Sequence, residues 1–238
     1  LEIIDVLRVV AITSLAGGTS FLGGIIGRFA RFSDNQMLFL TAFGAGILIA
    51  AAVFSMAIEA EKELGIGTML ACFVAGSVSF AAADWIVERR SGEAGILLGI
   101  GIDSIPESLA IGASIASGPA LAIAILIGIQ NMPEGIASFR EMTSGKDAPF
   151  ARNKRKALKS IGMVSVIPII LGLVGLFFLQ GLQTVIAVTL AVSAGGIFFM
   201  LFFDMIPKAH KENKRLPAFG AVLGFIIGFA IVRVIGQT

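Results

Sequence analysis

Two short stretches, "IDSIPESLA" at 102–110 and "IQNMPEGIA" at 129–137, each place oxygen donors around a proline inside a long apolar run. Asp103 and Glu107 stand four residues apart in the first, as do Gln130 and Glu134 in the second. That spacing puts each pair on one face of a helix, one turn apart. A carboxylate at membrane depth costs several kcal/mol and needs a partner. No Lys or Arg stands inside these runs. The acids are then neutralised by bound protons or by a cation from outside, and a pathway can use both. Pro106 and Pro133 add to the case, because each lacks an N–H and deprives the carbonyl of Ile102 or Ile129 of its helical donor. Freed carbonyls can line a cation path where backbone borders a cavity. A packing kink over protonated acids would explain one such helix, but it accounts poorly for two matched copies. Carboxylates with an amide suit a divalent metal. Organic cations usually sit in aromatic cages, and the chain has no Tyr and one Trp.

The elements that carry these residues are set by composition. Of 238 residues 56% are hydrophobic and 14% charged, and the mean hydropathy is +0.94. These values predict an all-α integral membrane protein. Apolar stretches able to cross a ~30 Å hydrocarbon layer recur at 5–29, 37–60, 67–87, 95–116, 119–139, 160–180, 183–207 and 217–236. Eight spans and outward-facing termini put all but Arg8, Lys62 and Arg233 of the 18 basic residues on the cytoplasmic side. The expectation is a multi-pass protein of the cell membrane, with both termini extracytoplasmic and no cleavable signal peptide. The lone Cys72 permits no internal disulfide. The basic loop between spans five and six acts as a topology determinant, or binds anionic lipid or a regulator. Trp85 reads as an interfacial anchor.

No hydrophilic stretch is long enough for a soluble domain, so residues 1–238 form a single transmembrane domain. The two proline stretches match at an offset of 27, and "AGILIAAAVFSMAIEA" in span two echoes "GGIFFMLFFDMIPKAH" in span seven at an offset of 150. Spans four and five cross in opposite directions, as do two and seven. Inverted repeats of this kind mark transporters, with the substrate site near the midplane. The expected layout is three spans, a central pair and three more.

These residues resemble the paired signatures of the ZIP (Zrt- and Irt-like) family of metal transporters. Its fourth span typically reads His-Asn-x-Pro-Glu-Gly, its fifth x-x-x-Pro-Glu-Gly, and its seventh ends near His-Glu-x-x-Pro-Glu. The resemblance makes Asp103, Glu107, Gln130 and Glu134 the primary metal ligands. Ser104 and Asn131 stand where the family places bridging or second-site ligands, and Asp204 occupies the acidic position of span seven. By the same likeness His210 lies near exit-side chelators, and Ser55 and Met56 line the path. A solvated loop position is the plainer account of His210. The chain departs from the pattern at Asp103, Ser104 and Ser108, which replace His, Asn and Gly, and at Ile167, where many members have Glu before the proline. One principal site is therefore expected. Loss of the imidazole moves it toward oxygen donors, which suit Mn²⁺ or Fe²⁺ at least as well as Zn²⁺.

The function implied is movement of a divalent cation (Zn²⁺, Fe²⁺ or Mn²⁺, with Cd²⁺ as surrogate) toward the cytoplasm through a midplane carboxylate site between spans four and five. Metal entry would release protons, and the outer triplets would rock against the central pair. A proton- or sodium-coupled carrier of a non-metal substrate could use the same acids. An enzyme is not expected, since hydrolytic zinc motifs such as His-Glu-x-x-His are absent. The resemblance suggests a homodimer in the lipid bilayer, and no nucleic-acid partner is expected.

Overall fold

The computed structural model describes residues 3–88, 98, 101, 104–105, 107–112, 115, 120–144, 148–179, 181–209 and 215–235. Asp103, Pro106 and His210 lie outside that set. Regular structure among the described residues is entirely helical, as expected where backbone groups must bond within their own segment. Among the described residues, six helical runs are long and apolar enough to cross a membrane.

Helix α1 (Ile3–Phe29) buries Val9, Thr13, Ala16, Ser20 and Gly23 along one stripe at helical spacing. Ser33 and Gln36 then form a reciprocal capping box that starts α2 (Asp34–Ala50), Gln36 Oε1 accepting from the Ser33 N–H at 2.8 Å. A π-helical turn, Ala51–Ala57, joins α2 to α3 (Ile58–Glu88). This long run is not one rod. Gly65 stands at φ 71°, ψ 159°, conformational space open to glycine, and breaks the helix there. The break falls between the expected spans at 37–60 and 67–87. It leaves about 30 and about 20 residues on either side, each enough for one crossing.

The expected fourth span, 95–116, lies mostly outside the described residues. Residues 104–105 and 107–112 are helical there, with Ser104, Glu107 and Ser108 buried and Ile105 turned outward. Helix α4 (Ala120–Thr143) runs unbroken through Pro133. Next come α5 (Lys154–Val164) and α6 (Ile167–Leu179). Helix begins six residues before the expected start of span six, because the Asn153 side chain caps α5 by accepting from the Lys156 N–H at 3.0 Å. Helix α7 (Gln183–Met200) passes through a second π-helical turn, Leu201–Met205, into α8 (Ile206–Ala209), and α9 (Arg215–Ile235) closes the described chain.

The helices pair across the repeats rather than within them. The most extensive packing is α1 on α4, α2 on α9 and α3 on α7. A Cβ on Gly46 would overlap the carbonyl oxygen of Ala221, and one on Gly195 would overlap that of Phe73. Gly224 stands in the same relation to Phe43, and Gly76 to Val192. Each contact maps onto its counterpart by adding 149 in spans two and seven and 148 in spans three and eight. The register is therefore 149, one residue from the sequence echo. It superimposes the two π-helical turns and pairs Ser55 with Asp204. Helices α1, α4 and α6 and the described span-four residues form one packed group, and α2, α3, α7 and α9 another.

Candidate metal site

The site is built on α4. Gln130 and Asn131 are buried one turn before Pro133 and Glu134. Gln130 Nε2 donates to Glu134 Oε2 at 3.2 Å, as the four-residue spacing predicts. That bond leaves Gln130 Oε1 buried without a hydrogen-bond partner, and such an acceptor costs about 1–3 kcal/mol. Pro133 supplies no N–H to the Ile129 carbonyl, so a second acceptor on the same turn lacks its helical donor.

Helix α2 closes on this turn through Gly44. A Cβ there would stand 3.2 Å from Gln130 Cγ and 3.5 Å from Met205 Cε, so α2, α4 and the second π-helical turn converge at Gln130. Asp204 lies in that turn. Lys208 holds it, with Nζ 2.7 Å from Oδ1 and 2.9 Å from Oδ2.

The structure thus pairs Gln130 with Glu134 and sets Met205, the neighbour of Asp204, against the same glycine of α2 as Gln130. Asn131 turns elsewhere: its Nδ2 donates to the Ala16 carbonyl at 3.0 Å and ties α4 to α1. Ser104 and Glu107 are buried, and each engages a partner. Ser55 and Met56 lie in the first π-helical turn. Met56 is fully buried in the main apolar cluster, while Ser55 Oγ is buried with no hydrogen-bond partner. Among the described residues, no three of His, Cys, Asp and Glu gather.

Lys208, one residue past the expected end of span seven, supplies a partner for Asp204. The signal was present in the sequence, since Lys208 follows Asp204 by one helical turn, but the expected span ended at Pro207. Helix continues past Pro207 to Ala209. At that hand-over Ile206 N–H bonds Leu201 O instead of Phe202 O, so the ordinary α pattern is already suspended where the proline removes a donor. Gly44 was also missed, because only a close approach of α2 gives it meaning. The donors assembled are a carboxylate, an amide oxygen and a backbone carbonyl, with a second carboxylate nearby. This set suits a divalent cation that accepts oxygen ligands.

A family model described as ZIP Zinc transporter matches residues 84–236. Curated relatives include the zinc transporters ZupT of Escherichia coli O7:K1 (strain IAI39 / ExPEC) and of Shigella dysenteriae serotype 1 (strain Sd197). Each is 24% identical over 252 aligned residues, covering 93% of this chain and 95% of the relative.

Proposed function

The chain belongs to the ZIP zinc transporter family, and from that premise we propose that it carries a divalent cation into the cytoplasm through a site centred on Glu134 and Gln130. It is a multi-pass membrane transporter and not an enzyme. The observation that carries the site is the buried, unpartnered Gln130 Oε1 beside Glu134. An acceptor of that kind gains its missing partner from a cation. Glu107 and Asp103 complete the ligand set from span four, with Ser104 beside them, and Asn131 positions α4 against α1.

Zn²⁺ is the first substrate to test, because the relatives are zinc transporters. The oxygen donors also favour Fe²⁺ and Mn²⁺. A metal leaving Glu134 meets Asp204 next, displacing Lys208 toward solvent, with His210 beyond. Eight spans, with the break at Gly65 separating the second from the third, leave both termini outside. Alternating access follows from movement of the α1, α4, α6 group against the α2, α3, α7, α9 group, which changes the surroundings of Glu134 and Gln130.

Uptake of radiolabelled Zn²⁺, Fe²⁺, Mn²⁺ and Cd²⁺ into proteoliposomes tests the proposal. Saturable uptake of at least one is expected. Glu134→Gln, which keeps shape and removes charge, should abolish it without lowering the melting temperature. Failure of all four ions to enter, or undiminished uptake by Glu134→Gln, would overturn the proposal.

A further inference from the structure

The repeat register pairs Asp204 with a residue that no carboxylate chemistry would single out. We propose that Ser55 Oγ and the neighbouring Phe54 carbonyl form a second, weaker cation subsite on the external half of the path, where an entering divalent ion sheds part of its water. The proposal rests on the transport reading above and adds a location and a role to it.

Three observations support it. The first is the hydroxyl itself. In the helices of this protein Thr13, Ser77, Ser79, Thr143, Ser165 and Thr189 each donate to the carbonyl four residues earlier, the ordinary refuge of a hydroxyl in an apolar setting. Ser55 is 2% exposed, yet its Oγ makes no hydrogen bond.

The second is the backbone around it. At the end of the first π-helical turn Ile58 N–H bonds Val53 O, passing over Phe54 O, which α geometry would have given it. A carbonyl relieved of its donor therefore adjoins the unpartnered hydroxyl. Wide turns of this kind recur at functional sites.

The third is symmetry. Asp204 adjoins Met205, whose Cε and the Cγ of Gln130 both face Gly44 of α2. The sequence match at an offset of 27 pairs Glu134 with Glu107, and extending the same symmetry to it sets Ser55 toward the side of span four that bears Glu107. The two ends of the path then differ in kind. The inner end has a carboxylate balanced by Lys208, and the outer end has neutral oxygens that hold a divalent ion loosely enough to pass it on.

Transport kinetics of Ser55 variants with Zn²⁺ and Mn²⁺ test this. Ser55→Ala should raise KM about fivefold with kcat within about twofold, since one neutral ligand of an early site is lost. Ser55→Thr, which keeps the hydroxyl, should restore KM. Ser55→Asp should lower KM and slow kcat about tenfold, turning a staging site into a trap. An unsatisfied core hydroxyl with no role predicts otherwise: Ser55→Ala would melt at a higher temperature with unchanged KM. That result, or wild-type kinetics in both Ser55→Ala and Ser55→Asp, overturns the subsite. A wild-type protein that moves no metal overturns the transport reading instead, and a transporting wild type that Glu134→Gln silences leaves any failure at Ser55 specific to Ser55.

Discussion

Lys208 sits where it can compete with the cargo. Its ammonium bridges both Asp204 oxygens, so a tethered cation holds that carboxylate on the proposed exit path. The pair is half exposed, which screens it and limits its strength. Lys208→Ala should let Asp204 retain the departing ion longer, lowering both KM and kcat about two- to fivefold, the scale of a screened pair. Steady-state uptake set against single-turnover release will check this, and faster release in the variant would contradict it. At this scale the sequence was informative where chemistry depends on local spacing. Gln130 and Glu134 bond across one turn as their separation implies. Asn131, one residue on, could not be assigned in this way. Its direction depends on α1, more than a hundred residues earlier, and it bonds the Ala16 carbonyl.

Between residue and molecule, the glycines decide which helices meet. Long apolar helices were legible because a bilayer demands about 20 apolar residues whatever the fold. Their partners were not, since glycine is common in membrane helices and its spacing alone selects no neighbour. Gly46 and Gly195 each receive a carbonyl oxygen from the facing helix where a Cβ would stand, whereas a Cβ on Gly18 meets nothing within 4 Å. Gly46→Ala and Gly195→Ala should therefore each force a helix pair apart and cost about 1–3 kcal/mol, while Gly18→Ala should be neutral or slightly stabilising. Thermal unfolding in detergent separates the outcomes, and equal melting temperatures for the three variants would contradict the packing described. The π-helical turns were also beyond sequence reading. They interrupt the 3.6-residue period for barely one turn, and within runs as apolar as "AAVFSMA" and "LFFDM" that period is already blurred.

For the whole molecule, chain order and packing disagree, and packing bears on motion. Connectivity suggests triplets around a central pair, because neighbouring spans are joined by short turns. Yet α1 packs on α4 while α2 and α3 are drawn to α9 and α7. Two bodies that slide must meet along an interface with few locks. Asp34 and Arg140 mark one such meeting point: Arg140 Nη2 lies 3.0 Å from Asp34 Oδ1, joining the start of α2 to the last turn of α4 on the proposed cytoplasmic side. Asp34 is 82% exposed, so the pair holds the bodies together only weakly, as a contact broken in every cycle should. A covalent link there should behave differently. With Cys72 replaced by Ala, cysteines at 34 and 140 joined by a short bifunctional methanethiosulfonate should stop uptake, and reduction should restore it. If α4 stays fixed on α2 through the cycle, the linked protein will transport at the unlinked rate, and the division into two moving bodies must be redrawn.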